Sequence, residues 1–169
     1  GGRPSQAESR NLRGVLGGVP MTEADSAIKE IVDLLDFESY KSLIRGLTEF
    51  GDREQGTPRN AAAVDWIEQT LQSWGYETAR IHYDYMPRGS DVTEPREEVY
   101  ATLVGATSPS EMYLLGGHMD GRGSGQAAND DASGTALVME IARALASPGV
   151  TSARSIRFAL WNNEETGLN

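Results

Sequence analysis

The chain has 169 residues, which is enough for one domain with a hydrophobic core. Its 25 acidic residues outnumber its 15 basic ones, so nucleic acid and anionic membranes are poor partners for it. Because it has no cysteine, any metal ion has to be held by His, Asp and Glu, and no run approaches the ~20 apolar residues of a membrane span.

The two ends of the chain lack the features of a complete protein. Residues 1–20 are rich in Gly, Arg and Ser with little periodicity, which predicts a loose leader in front of a domain over residues 21–169. The leader has neither an initiator Met nor an apolar signal core, and the chain stops at Asn169. We therefore expect residues 21–169 to form only part of a domain.

Three amphipathic helices are predicted after the leader. The first begins near Thr22, which pairs with Asp25 as in a capping box. The third begins at Thr57-Pro58, an N-cap residue followed by Pro at the first helical position, and it ends at Gly75. The apolar positions expected to share one face are Ala24, Ile28, Ile31, Val32 and Leu35 in the first helix, Tyr40, Leu43, Ile44 and Leu47 in the second, and Val64, Ile67, Leu71 and Trp74 in the third.

Strands are predicted in the second half of the chain. Residues 80–85 alternate polar with apolar, as on a half-exposed edge strand, whereas 99–104, 112–115 and 156–161 are apolar runs typical of buried strands. A helix over 133–146 separates the last two strands, and that order predicts a parallel pair in an α/β sheet with helices on its faces. Leu137, Val138, Ile141 and Leu145 of this helix are expected to face inward.

Three polar motifs follow or precede these elements. Gly117-His118-Met119-Asp120 comes after one strand, Asn163-Glu164-Glu165 after the next, and Asn129-Asp130-Asp131 before the helix that connects them. Since ligands bind beyond the carboxyl ends of strands in open α/β sheets, the topology predicts that the three motifs converge. One imidazole and two carboxylate pairs suit Zn²⁺ or a similar divalent ion, with a spare carboxylate to activate water.

Each motif alone has an ordinary structural explanation. A histidine after a strand is commonly a hydrogen-bonded loop residue, Asp before a helix is commonly an N-cap, and paired glutamates after a strand are commonly solvated. Their joint occurrence, in order and with a glycine beside each group, favours a metal site.

Together these motifs resemble those of the co-catalytic zinc exopeptidases of the aminopeptidase Y and bacterial leucyl aminopeptidase family, metallopeptidase family twenty-eight. The resemblance covers about residues 40–169, includes the Gly-Thr-Pro-x-Asn stretch at 56–60, and corresponds to the amino-terminal portion of the family. It implies a three-layer α/β/α fold with a mixed, mostly parallel central sheet, truncated at its carboxyl end. Asn129 stands where the family has a first acid, outside the coordinating position.

The resemblance also implies a role for each site residue. His118 and Glu165 would be ligands of one zinc ion, and Asp130 would bridge two ions. Glu164 would be the general base, taking a proton from water and passing it to the leaving amine. Asp120 would fix the tautomer of the His118 imidazole through its carboxylate.

The same resemblance implies a cis peptide bond between Asp130 and Asp131, and an Asp and a His for the second ion after Glu165. Neither of those two ligands exists in this sequence, and His82 is expected to be a surface residue. We therefore expect the 169-residue chain to bind at most one zinc ion, weakly, and to have no useful turnover by itself.

The parent protein is thus predicted to be a zinc aminopeptidase acting on peptides. A glutaminyl cyclase, which uses one zinc ion on the same fold, is the first alternative, although it would normally depart from the paired acidic motifs seen here. A non-catalytic receptor-like ectodomain would be expected to lose ligands, and a generic α/β binding module with accidental acids is a further alternative. By analogy with relatives we expect a location outside the cytoplasm, while oligomeric state is left open.

Overall fold

The computed structural model describes residues 22–123 and 125–167, in two compact units divided between Asp33 and Leu34. The predicted leader, 1–20, lies outside the described residues. In the first unit, helix α1 spans Glu23–Asp33. The predicted capping box is confirmed, because the Asp25 amide donates to Thr22 Oγ1 at 3.1 Å and the Thr22 amide donates to Asp25 Oδ2 at 2.8 Å. No residue of α1 is buried, and Ile28 and Val32 on its predicted apolar face are 60% and 54% exposed.

The second unit begins with helices α2, Phe37–Thr48, and α3, Pro58–Ser73. Each begins at a side chain that accepts from the first free backbone N–H groups, Asp36 for α2 and Thr57 for α3. The predicted start of α3 is confirmed, and its predicted inward positions Val64, Ile67 and Leu71 are fully buried. Helix α4 follows later, at Ser133–Leu145.

Four strands form one sheet in the order β1-β2-β4-β3. Strands β1, Thr78–Tyr85, and β2, Glu94–Leu103, are antiparallel, as are β2 and β4, Arg154–Trp161. Strand β3, Ser108–His118, is parallel to β4 across the α4 connection, as predicted. The α/β class and the mixed sheet are therefore confirmed.

The expected majority of parallel pairs is wrong for the described strands. Only the β3–β4 pair has a helical crossover between its strands, whereas a loop of eight residues joins β1 to β2. A short loop returns the chain as an antiparallel hairpin, and a parallel return needs a crossover of a dozen residues or more. Pairing with β1 also makes β2 begin at Glu94 rather than at Val99, where the strand was predicted to start.

The core lies between the sheet and helices α3 and α4, on one face. Val99, Ala101, Phe158 and Leu160 are at most 1% exposed there, and the Tyr76 ring meets Phe158 edge-on at 5.5 Å. The described part of this unit thus contains one of the two expected helical layers. No helix in the described part of the chain is long and apolar enough to cross a membrane.

Two predictions of burial are wrong. Strand β3 lies at an edge of the sheet rather than inside it, and Met112, Tyr113 and Leu114 are 44%, 61% and 52% exposed. Leu137 of α4 is 50% exposed, whereas its neighbour Val138 is 6% exposed. Both were predicted to face inward, but successive residues of a helix point in different directions, and the side of α4 that carries Val138 faces the core. An apolar pattern identifies the strand or helix, but which neighbours cover it depends on tertiary packing.

Candidate functional site

The predicted motifs meet at one edge of the sheet because β3 and β4 are parallel and end together. His118, the last residue of β3, is in register with Trp161, the last residue of β4. The next amide, from Met119, donates to the Trp161 carbonyl at 2.8 Å. An irregular turn, Ala128–Ala132, then leads into α4 and returns the chain to this edge. The convergence expected from the strand–helix–strand order is confirmed.

His118 and Asp130 face each other at this edge. The distance from His118 Nε2 to Asp130 Oδ1 is 3.1 Å, and Glu164 Oε2 lies 3.8 Å from the same nitrogen. The other ring nitrogen, Nδ1, lies 3.0 Å from the main-chain oxygen of Asp120. A proton on Nδ1 donated to that oxygen leaves the lone pair of Nε2 directed toward the two carboxylates.

Competing effects act on the proton affinity of His118. Burial lowers its pKa, while the contact with the Asp120 carbonyl and the charges of Asp120, Asp131 and Glu164 raise it. The net pKa lies above the ordinary value for histidine. The surrounding carboxylates therefore favour the protonated, positively charged form of the imidazole.

Asp120 was predicted to act on His118 through its carboxylate, but its main-chain oxygen lies closer to the imidazole. Its carboxylate is fully buried and accepts from the Glu164 and Glu165 amides, at 3.2 Å each, whereas its Oδ1 is 3.6 Å from His118 Nδ1. Burial raises its pKa, and the hydrogen bonds from those two amides lower it. Its main-chain oxygen, not its carboxylate, makes the closer contact with the imidazole. The carboxylate instead joins the loop after β3 to the loop after β4.

Asp131 and Thr135 hold the main chain of His118 from the side of α4. Asp131 Oδ2 accepts from the His118 amide at 3.2 Å, and Asp131 Oδ1 accepts from the Gly134 amide at 2.8 Å. Thr135 Oγ1 donates to the His118 carbonyl at 2.8 Å. A Cβ at Gly134 would overlap Asp131 Oδ1, so a larger residue there would displace the Asp131 carboxylate. The predicted cis peptide bond between Asp130 and Asp131 is confirmed.

The two glutamates lie in a short turn, Glu164–Thr166, directly after β4. Burial raises the pKa of Glu165, and the negative charges of Asp130 and Asp120 raise it further. Arg122, in the loop after β3, donates to the Glu165 carbonyl at 3.3 Å. The carboxylates around the imidazole repel one another, and a divalent cation bound among them would offset that repulsion. Imidazole and carboxylate groups are also the ligand types that such a cation uses.

The predicted zinc ligands are only partly assembled. Within residues 22–123 and 125–167, no three His, Asp or Glu side chains are arranged so that they could hold one metal ion. His118 and Asp130 are brought together, while Glu165 as a third ligand stays a prediction. His82 lies on β1, at the opposite edge of the sheet from β3, and its side chain is 73% exposed.

Sequence reasoning missed several residues that support the site. Arg53, in the turn-rich segment before α3, is fully buried, and Thr135 was not distinguished from its helical neighbours. Asn60 and Asn162 form a buried pair of reciprocal amide hydrogen bonds at 3.1 and 2.9 Å. Asn60 belongs to the Gly-Thr-Pro-x-Asn stretch, which was the one available signal. Nothing in the local sequence distinguishes Arg53 from a solvated turn residue.

Comparison with known proteins gives consistent matches. Residues 98–169 match Peptidase family M28. A probable zinc metalloprotease of Pyrenophora tritici-repentis is 30% identical over 165 residues, which are 85% of this chain and 34% of that protein. The chain spans between a quarter and two fifths of the length of the curated relatives it matches.

Two solved structures share the fold. An aminopeptidase from Aneurinibacillus sp. strain AM-1 matches with a TM-score of 0.73 at 15% identity, over 82% of this chain and 65% of that one. A Porphyromonas gingivalis glutaminyl cyclase matches with a TM-score of 0.63 at 26% identity, over 77% of this chain and 46% of that one. The first likeness shows the fold alone.

Proposed function

We propose that this chain, which belongs to peptidase family M28, forms part of the active site of a zinc-dependent peptidase that removes amino-terminal residues from peptides. The observation that supports this most directly is the approach of His118 Nε2 to Asp130 Oδ1 at 3.1 Å, with Glu164 Oε2 at 3.8 Å. An imidazole and carboxylates at the joined ends of parallel strands are the ligand types and the location that such an enzyme needs.

The proposed ligands are His118, Asp130 and Glu165. The Asp120 carbonyl orients His118 by accepting from Nδ1, so that Nε2 stays available as a ligand. Zinc, when bound, would supply Lewis acidity that polarises the substrate carbonyl and makes water more acidic. We further propose that the 169-residue chain holds at most one zinc ion, because His118 is the one histidine near Asp130 and Glu164 within the described residues.

Glu164 is proposed to move protons. Its side chain is 46% exposed and is held beside the imidazole by its own amide, which donates to Asp120 Oδ1. Oε2 would take a proton from the attacking water and later pass it to the leaving amine. The buried Asp120 carboxylate would set the position of Glu164 and Glu165 together, since it accepts from both of their amides.

The test uses the whole protein with zinc and aminoacyl-p-nitroanilides. Wild type should release nitroaniline, and Glu164→Gln should lose at least about a hundredfold in kcat while zinc affinity stays within a few-fold, since general acid–base catalysis contributes about 10²–10⁴-fold. Asp65→Asn, an exposed carboxylate on α3, is the matched control and should retain activity. Full activity in Glu164→Gln would contradict the proposed role.

A glutaminyl cyclase is the second candidate, and the likeness to the Porphyromonas gingivalis glutaminyl cyclase favours it. A cyclase joins the amino group of an amino-terminal glutamine to its own side-chain carbonyl and releases ammonia, without cleaving a peptide bond. Measuring ammonia and free amino acid from a glutaminyl dipeptide separates the two candidates. Ammonia without the free amino acids would select the cyclase and overturn the peptidase.

A further inference from the structure

Arg53 is a fully buried arginine that donates to main-chain carbonyls on several segments. Its side chain has no exposed area, and Nε donates to the Met119 carbonyl at 2.8 Å. Nη1 and Nη2 donate to the carbonyls of Gln126 and Ala127 at 2.9 and 2.8 Å. Nη1 also lies 3.1 and 2.9 Å from the carbonyl oxygens of Leu47 and Gly51.

These acceptors belong to the segments that bring the site residues together. Met119 lies between His118 and Asp120, directly beyond β3. Ala127 directly precedes the turn Ala128–Ala132, which contains Asp130. One planar guanidinium is therefore bonded to both the segment that presents the imidazole and the segment that presents the opposing carboxylate.

The main chain of Arg53 extends this link to the loop after β4. Its carbonyl accepts from Asn60 Nδ2 at 2.9 Å, and the same nitrogen lies 3.1 Å from Asn162 Oδ1. Asn162 is two residues before Glu164. The three motifs are thus connected through Arg53, either by its side chain or by its carbonyl.

A lysine could not reproduce this arrangement. Arginine presents five N–H donors in a fixed plane, whereas the lysine ammonium has three donors around one nitrogen. Burial lowers the pKa of Arg53, and the charges of Asp120, Asp52 and Asp131 raise it. The cost of burying a guanidinium is therefore offset by hydrogen bonds and by nearby carboxylates, two of which belong to the site.

We propose that Arg53 is a positioning residue that sets the separation of His118 and Asp130, acting through the carbonyls of Met119, Gln126 and Ala127. The part of this role that concerns zinc rests on the proposed function. The part that concerns the imidazole does not, because it is a property of the chain without metal.

The test compares Arg53→Lys and Arg53→Met with wild type in the 169-residue chain. The control is Arg157→Lys, a half-buried arginine on β4 whose guanidinium lies over the Tyr100 ring. The chain has two histidines, so isotope-edited NMR at a pH where both imidazoles are neutral reports on His118 directly, with the exposed His82 as an internal reference.

In wild type, His118 should give the spectrum of a single tautomer with the proton on Nδ1, as its contact with the Asp120 carbonyl requires. Arg53→Lys should shift His118 toward a mixture of tautomers and leave His82 unchanged, while Arg157→Lys should leave both unchanged. Zinc affinity, measured by calorimetry, should fall about tenfold or more in Arg53→Lys, the loss expected when a group supporting metal ligands is removed.

Circular dichroism shows which variants are folded, since Arg53→Met leaves carbonyls unpaired and can fail to fold. Only folded variants are compared by NMR. A folded Arg53→Lys variant with the wild-type His118 spectrum would overturn the positioning role. Unfolding of Arg53→Lys as well would also overturn it, because Arg53 would then be a residue of general stability. If the wild-type chain binds no zinc but Arg53→Lys still changes the His118 spectrum, only the part of this proposal that concerns zinc is contradicted, since the positioning of the imidazole does not need the metal.

Discussion

Replacing Glu140 by glutamine tests how α2 and α4 are held together. Glu140 is 3% exposed on α4, and its carboxylate accepts four hydrogen bonds. Oε1 accepts from the Asp36 amide at 2.7 Å, and Oε2 accepts from Ser39 Oγ at 2.7 Å, both at the start of α2. Arg143, one turn further along α4, donates to both oxygens at 2.8 and 2.5 Å.

Glutamine has one oxygen and an NH₂ group in place of two acceptor oxygens, so at least one buried donor loses its partner. A hydrogen bond to a charged group contributes about 1.5–3 kcal/mol, and an unpaired buried donor costs about 1–3 kcal/mol. We therefore expect Glu140→Gln to lower the free energy of unfolding by about 3 kcal/mol at neutral pH.

The loss of unfolding free energy in Glu140→Gln should become smaller as the pH falls. Burial raises the pKa of Glu140, but the hydrogen bonds from Arg143, Asp36 and Ser39 lower it by a larger amount. The net pKa is therefore below the ordinary value of 4.5. A lowered folded-state pKa stabilises the fold above the unfolded-state value, and that stability is lost as the pH falls through the folded-state value. The difference between wild type and Glu140→Gln should therefore shrink under acid conditions.

Urea denaturation followed by circular dichroism measures both effects. Glu111→Gln is the matched control, because Glu111 also pairs with an arginine, Arg154, but at an exposed position where such pairs contribute about 0–1 kcal/mol. Equal losses in Glu140→Gln and Glu111→Gln, or a Glu140→Gln loss that is unchanged in acid, would refute this account of Glu140.

Substitutions at three further positions test the packing around the site and the core. Gly134→Ala should displace the Asp131 carboxylate, lower the free energy of unfolding by about 1–3 kcal/mol and weaken zinc binding, as calorimetry would show. Thr135→Val removes the hydrogen bond to the His118 carbonyl and should cost about 1 kcal/mol in thermal unfolding, whereas Thr135→Ser should cost less. Tyr76→Phe removes a buried hydrogen bond to α4 and should cost about 1 kcal/mol near neutral pH. Burial raises the pKa of Tyr76 from 10.0 to about 12, so this advantage of wild type should be lost as the pH rises through that interval.

Features that depend on local contacts could be predicted from the amino-acid sequence. The capping box of Thr22 with Asp25 and the Thr57-Pro58 start of α3 involve residues within one turn of each other, so short-range rules identify them. The parallel β3–β4 pair followed from the helix between the strands. Once the pair was known, the meeting of His118 and Asp130 followed from where the motifs stand relative to the strand ends.

Which surfaces are covered, and which atoms of the motifs form hydrogen bonds, depends on long-range packing. Strand β3 and the buried strand β4 have similar apolar patterns, but β3 lies at the edge because no described strand pairs with its outer side. Asp120 bonds through its carboxylate to the next loop and through its carbonyl to the imidazole, a choice set by where the β4 loop ends. Arg53 is buried because distant segments bring their carbonyls to it. Burial and hydrogen-bond partners of this kind depend on residues far apart in the chain, and local periodicity carries no information about them.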